Sequence, residues 1–145
     1  MGRNGDDADD PARREDAVRL ATAVLMVDVA RADNQFTDAE AQRINGLVRE
    51  RFGLSAEDAT ALTARADATA DDLVSLHEFT HLLHDALTDD EKAHIVGALW
   101  RVAYADGELD KFEDALVLRI SDLLYVSRGL VMRLKHDAAA AAGDG

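Results

Sequence analysis

The chain has no cysteine, a single proline and few aromatic residues, which make up 5% of the sequence. Without cysteine it has no disulfide, no thiol nucleophile and no Cys-rich zinc site. The low proline and aromatic content, together with abundant alanine, favours helices and argues against an all-β fold. The sequence also lacks an apolar leader and any run of about 18 apolar residues, so we expect a cytoplasmic protein with no integral membrane segment.

Negative charge dominates the composition. The chain has 29 Asp and Glu against 16 Lys and Arg, and its formal net charge is −13. Such a field repels nucleic acid and anionic membranes, so neither is an expected partner. A protein partner is expected, although the sequence does not identify it, and a homodimer is left open.

The length of 145 residues suits one domain with one core. Residues 1–10 and 138–145 lack the apolar pattern of a packed element and are predicted to be disordered tails, which leaves a single domain over residues 11–137.

Helix-start signals recur along the chain, and the apolar residues between them repeat at helical spacing. Most signals are a Ser, Thr or Asp followed three positions later by a carboxylate, as in Thr37-x-x-Glu40 and Thr69-x-x-Asp72. The pattern predicts an all-α bundle of seven helices. They cover residues 11–32, 38–52, 56–66, 70–87, 89–105, 111–124 and 128–138.

The sequence also indicates an internal duplication. Sliding residues 23–52 onto 96–125, a shift of 73, places Asp33 on Asp106 and Glu40 on Glu113. Helices 1–3 and 5–7 would then be equivalent units linked by helix 4. Two units are too few for a solenoid, so a compact bundle with pseudo-twofold symmetry is predicted.

The two copies share a chemically unusual feature at a helix end. Asp33 and Asp106 each follow the last turn of a helix, where the dipole disfavours a carboxylate unless a cation or donor offsets it. Asn34 and Gly107 tolerate a left-handed backbone, which would turn both segments toward one space. Carboxylate oxygens suit Ca²⁺ or Mg²⁺, but ordinary turn and capping bonds explain the same residues without metal.

The segment from Trp100 to Asp110, with Asp106 and Glu113 seven positions apart, resembles the TerB tellurite-resistance family and its TerB-like relatives. That superfamily includes the N-terminal domain of a membrane-anchored DnaJ-type co-chaperone. The resemblance extends over about residues 15–137. It implies an all-helical, duplicated cytoplasmic domain associated with tellurite and stress resistance, without a settled enzymatic activity.

The resemblance also implies a divalent cation held by acidic motif residues, and the carboxylate ligands would suit Ca²⁺, Mg²⁺ or Mn²⁺. Carried over by position, these are Asp106 and Glu113 in one copy, and Asp33 and Glu40 in the other. Asn34 stands where the motif has glycine.

A second candidate metal surface lies on helix 4. His77-Glu78-Phe79-Thr80-His81 matches the zincin pattern H-E-x-x-H, and His84 follows on the same face. The motif is short, and no predicted strand would bind an extended peptide. The alternatives are adventitious metal binding by His77, His81 and His84, or a solvated polar face of the linking helix.

Three functions are therefore weighed. The first is a non-enzymatic stress-response module that binds a metal through the acidic motif, with no catalytic residue and no organic cofactor. The second is a metal-independent, co-chaperone-like interaction domain. The third and most remote is a zinc hydrolase built on the H-E-x-x-H motif. No Gly-x-Ser-x-Gly element or phosphate-binding glycine loop supports other enzyme chemistry.

The sequence also predicts the positions or partners of four residues in the central helices. Met26 and Trp100 are predicted to lie in the core. Asp28 and Arg101, which interrupt the two most apolar segments at equivalent positions of the repeat, are predicted to pair across the central helices or to satisfy backbone groups.

Overall fold

The computed structural model describes residues 11–70 and 76–144, and within these ranges it contains seven helices and no strand. The helices are α1 (Pro11–Ala30), α2 (Asp38–Phe52), α3 (Ala56–Ala70), α4 (Leu76–Ala86), α5 (Asp89–Ala103), α6 (Lys111–Leu123) and α7 (Arg128–Asp144). The predicted all-α bundle of seven helices is confirmed.

The predicted helix starts are confirmed at four places. Thr37 and Thr88 form complete capping boxes with the glutamates three positions later. Asp110 accepts hydrogen bonds from the first turn of α6, and Ser55 Oγ accepts one from the first turn of α3. These side chains satisfy backbone N–H groups that have no partner within the helix, so helix starts are readable from local sequence.

Helices α1 and α5 form the centre of the bundle. α1 packs against α2 to α6, and α5 packs against α1, α2, α6 and α7. Their apolar halves are enclosed as predicted, and both Met26 and Trp100 are 0% exposed. Trp100 Nε1 also donates to the carbonyl oxygen of Val131 at 3.1 Å, which ties α5 to α7.

Helices α2 and α6 end in the same way. Gly53 follows α2 with φ 65°, and Tyr125 follows α6 with φ 61°. In each turn the next residue donates back into the helix, from Leu54 to Arg49 and from Val126 to Ser121, both at 3.0 Å. The left-handed residue reverses the chain while satisfying carbonyl groups at the helix end.

Two helix boundaries differ from the prediction. α3 continues past residue 66 to Ala70, and Thr69 Oγ1 donates to Arg65 O at 2.8 Å within that helix instead of capping the next one. The predicted start of the fourth helix falls partly on residues 71–75, which lie outside the described residues.

The segment from residue 138, predicted as a disordered tail, is helical, because α7 runs to Asp144. The alanine run has the highest helix propensity, and Ala138 is 7% exposed against the bundle. Residues 1–10 and 145 lie outside the described residues.

The predicted pairing of Asp28 with Arg101 is wrong. Burial raises the pKa of Asp28 to about 6, and the nearby charge that opposes this shift is Arg31. Arg101 is exposed, because its long side chain extends to the surface. The proposed duplication of the two halves stays a prediction.

Candidate functional site

Two turns meet at one end of the central helices, the first between α1 and α2 and the second between α5 and α6. Asn34 has φ 66° and Gly107 has φ 86°, so both adopt the predicted left-handed conformation. Each directs the chain from the end of a central helix into the N-cap of the next helix. The turns thereby place acidic residues from two distant parts of the chain next to each other.

In the first turn, the acidic side chains are engaged by local backbone groups. Asp33 Oδ1 accepts a hydrogen bond from the N–H of Gln35 at 3.0 Å. Glu40 is 2% exposed, and its Oε1 accepts from the N–H of Thr37 at 2.9 Å. The capping box thus gives the buried Glu40 side chain hydrogen-bond partners in the interior.

In the second turn, Asp110 and Glu113 have unequal hydrogen bonding. Asp110 Oδ2 accepts from the N–H groups of Phe112 at 2.7 Å and Glu113 at 3.3 Å. Glu113 is 3% exposed, and its Oε2 is buried with no hydrogen-bond partner among the described residues. A buried carboxylate oxygen without a partner is costly and requires an explanation.

Three carboxylates from the two turns form one cluster, which we call the acidic triad: Asp33, Asp110 and Glu113. One oxygen atom from each lies within 4.8 Å of the others. Glu40 borders the triad, close enough for its carboxyl group to raise the pKa of Glu113. The arrangement is dense in acidic groups.

The environment changes the acid chemistry of Glu113. Burial, hydrogen bonding to Glu40 and repulsion from Glu40 and Asp33 raise its pKa to about 8, against a smaller lowering effect of the Asp110 N–H group. Glu113 therefore holds a proton at neutral pH when no cation is present. A bound cation would favour the ionised form instead.

The structure brings together three of the four acidic residues selected from the motif: Asp33, Glu40 and Glu113. The fourth, Asp106, is exposed at the edge of the site, where its Oδ1 lies 3.2 Å from Thr37 Oγ1. Sequence reasoning interpreted Asp110 only as a helix cap. Its alignment with Thr37 in the proposed repeat is the sequence signal that could have identified Asp110 as a candidate site residue.

The contacts between the turns follow the register of that repeat. Asp33 approaches Asp110, and at the positions shifted by 73, Asp106 approaches Thr37. Glu40 meets its own equivalent, Glu113.

The histidines of α4 have other partners. His84 Nδ1 lies 2.6 Å from Lys92 Nζ, and His81 Nε2 lies 3.2 Å from Asp85 Oδ2. His77 and Glu78 are exposed on the same helix. Over residues 11–70 and 76–144, the group of three side chains close enough to share a metal ion is the acidic triad. The metal surface predicted at His77, His81 and His84 stays a prediction, because these described residues do not form such a group.

One family model matches most of the chain. The model of the family described as tellurite resistance protein TerB matches residues 19–136, a range that includes every residue of both turns. No curated protein and no solved structure matches the chain. Within the part of the chain that the structure describes, no helix has the length and apolar character needed to cross a membrane.

Proposed function

Because the chain belongs to the TerB tellurite-resistance family, we propose that it is a non-enzymatic stress-response module that binds one divalent cation at the acidic triad. The observation that carries the proposal is Glu113 Oε2, a buried oxygen without a hydrogen-bond partner among the described residues. An ion between the two turns would give this oxygen a partner and offset the repulsion around it.

The donor set suits a hard cation. Carboxylate oxygens are preferred by Ca²⁺, Mg²⁺ and Mn²⁺, whereas softer metals favour thiolate or imidazole. Asp33 and Asp110 would each offer the oxygen not already committed to a backbone N–H group. The hydrogen bonds to the backbone would then hold the two ligands in position.

The spacing of the triad oxygens is compatible with Ca²⁺. Because Ca–O bonds are about 2.3–2.6 Å long, two oxygens on one Ca²⁺ lie at most about 5 Å apart. The triad oxygens, within 4.8 Å of one another, already satisfy that limit. Mg²⁺, with bonds of about 2.1 Å, would require the oxygens to lie within about 4.2 Å of one another.

Thermal unfolding of chelator-stripped protein tests the proposal. We expect Ca²⁺ to raise Tm, with Mg²⁺ and Mn²⁺ giving smaller shifts. An ion at a hundred times its Kd adds about 2.7 kcal/mol to the free energy of unfolding, equivalent to about 10 °C in a domain of this size. The Asp110→Asn variant should lose most of the shift.

Two control variants separate the triad from general charge effects. Glu108→Gln removes one negative charge from an exposed position in the same turn and should leave the Ca²⁺ shift intact. Asp106→Asn, outside the triad, should reduce it only slightly. If no ion shifts Tm, or if Glu108→Gln weakens the shift as much as Asp110→Asn, the proposal fails. Absence of any shift would favour the metal-independent interaction domain.

A further inference from the structure

A groove lies over α5, on a face that includes none of the acidic triad, and α2 and α7 form its two walls. Its volume is about 730 Å³, and its surface is mainly apolar and built from small or branched side chains. The lining runs along α5 from Asp90 to Arg101. The groove is therefore about 16 Å long, enough for about three turns of a second helix.

The α7 wall has the residue spacing of a helix that packs against another helix. The residues of one stripe line the groove at intervals of four, three and four positions: Leu130, Leu134, Asp137 and Ala141. Contact positions in a pair of packed helices have this spacing. The neighbouring stripe of α7, with Val131 and Ala138, is buried against the bundle. The stripe on the groove side is thus the one that a second molecule can contact.

The rim of the groove, taken together with a smaller cavity that shares Glu50 and Arg101 with it, has equal numbers of both charges. The charged lining residues are Arg43, Arg51, Arg101, Glu50, Asp90 and Asp137. Arg51 lies 3.6 Å from Glu91, and Asp90 Oδ2 lies 3.8 Å from His94 Nδ1. The side chains of the other four make no ion pair or hydrogen bond with residues 11–70 or 76–144. Two arginines and two carboxylates therefore remain to pair with another molecule.

Charge complementarity identifies a second copy of the chain as the occupant. A partner of one charge sign would place half of these unpaired side chains against like charge, which is unfavourable. A second copy brings the same arginines and carboxylates, and across a twofold axis each arginine can meet a carboxylate. Because each copy has a net charge of −13, a rim without net charge is also a place where two copies can approach without added local repulsion.

We propose that this groove is the interface of a symmetric homodimer, in which α7 of each copy lies in the groove of the other. The stripe of α7 that lines the groove packs against the same stripe of the second copy, and the charged rims pair around it. Gly97 leaves the floor of the groove open to the incoming helix, since a Cβ there would meet only Leu134 Cδ2, at 3.7 Å.

Sedimentation equilibrium of the full chain in EDTA tests the dimer. The wild-type protein should show a monomer–dimer equilibrium that depends on concentration. Arg101→Glu should weaken dimerisation at least tenfold, because the twofold axis replaces each pair that Arg101 makes with a like-charge contact in both halves of the interface. Arg119→Glu is the matched control, because Arg119 is exposed on α6 and lines neither cavity. It makes the same change in charge and should retain most of the affinity.

Mixing two charge-altered variants tests the pairing itself. Arg43→Glu combined with Arg101→Glu makes the four unpaired rim charges negative, and Glu50→Arg combined with Asp137→Arg makes them positive. Each variant alone should be monomeric, and an equimolar mixture should form a heterodimer. All four side chains are exposed, so both variants are expected to fold.

A pair of substitutions at Gly97 tests the apolar floor. Gly97→Ala makes only an ordinary contact with Leu134 and should retain the dimer, whereas Gly97→Leu fills the groove and should weaken dimerisation at least tenfold. Circular dichroism with thermal unfolding shows whether each variant folds. If Gly97→Leu does not fold, the charge variants decide the test.

Three results would overturn the proposal. They are a wild-type protein that is monomeric at every concentration, equal dimerisation of the Arg101→Glu and Arg119→Glu variants, and a charge-altered mixture that associates no more than its components. The first result would leave the groove to a different molecule. The Ca²⁺ measurement is independent of all three, because it concerns the acidic triad and the dimer is measured in EDTA.

Discussion

Glu113 shows how strongly a residue's chemistry depends on its neighbours. On an isolated helix it would be an ordinary first-turn carboxylate, stabilised by the helix dipole. In the folded chain it is buried beside Glu40 and Asp33, and its pKa rises to about 8. The same side chain is therefore either a proton-bearing group or a candidate ligand, depending on what occupies the space between the turns.

This shift predicts how the stability of the metal-free protein depends on pH. The folded state holds the Glu113 proton more tightly than the unfolded state, whose pKa is near 4.5, so stability falls as pH rises from 4.5 to about 8. Asp28 acts in the same direction but only up to about pH 6. Chemical denaturation at pH 6 and pH 8.5 should show the loss above pH 6, and Glu113→Gln should largely remove it.

Glu108→Gln provides the comparison for this prediction, since the residue is exposed in the neighbouring turn. It should retain the wild-type decline between pH 6 and pH 8.5. A Glu113→Gln variant whose stability declines as steeply as that of the wild type would show that Glu113 does not control this pH range.

Two glycines occur at helix α2, one inside the helix and one immediately after its last residue. The first weakens the helix, whereas the second ends it. Gly46 is exposed within the helix, and a Cβ added there would meet nothing within 4 Å. Gly53 has φ 65° and ends the helix. Tyr125, which follows α6 in the same conformation, shows that another residue is tolerated there, and its ring lies 4.8 Å from that of His84.

Alanine substitutions at these two positions should change stability in opposite directions. Gly46→Ala should raise the free energy of unfolding by about 0.5–1 kcal/mol, because alanine has the higher helix propensity. Gly53→Ala should lower it by about 1 kcal/mol, because a Cβ disfavours the left-handed turn. Urea denaturation measures both changes, and a stabilising Gly53→Ala would contradict the assigned turn.

At the scale of the whole molecule, the excess negative charge opposes folding. A net charge of −13 on one small domain produces self-repulsion that the unfolded chain partly relieves by expanding. The acidic triad is a local concentration of the same repulsion, with Glu113 buried and Asp33 and Asp110 half-buried. Screening by salt and the proposed binding of an ion would therefore stabilise this protein in separate ways.

Salt should therefore stabilise the metal-free protein. Raising NaCl from about 0.02 M to about 0.5 M shortens the Debye length from roughly 20 Å to roughly 4 Å and should raise Tm at pH 8. In differential scanning calorimetry, a Tm that is unchanged or lower in NaCl at pH 8 would contradict the prediction.

Much of the architecture was predictable because its signals are local. Thr37, Thr88 and Asp110 cap helices through hydrogen bonds to residues two or three positions away, so their role is visible in a short stretch of sequence. Asn34 and Gly107 likewise reveal their turns through backbone preference alone. The sequence by itself determined the seven helices, the central position of α1 and α5, and two acidic turns.

Only the tertiary structure decided which acidic side chains come together at those turns. Asp110 joins Asp33 although the two are far apart along the chain, and Asp106 remains at the edge. Arg101 extends to the surface instead of pairing with Asp28, and α7 continues because Ala138 has a surface to pack against. Distances between side chains of different helices depend on how the helices pack, and local sequence signals contain no information about those distances.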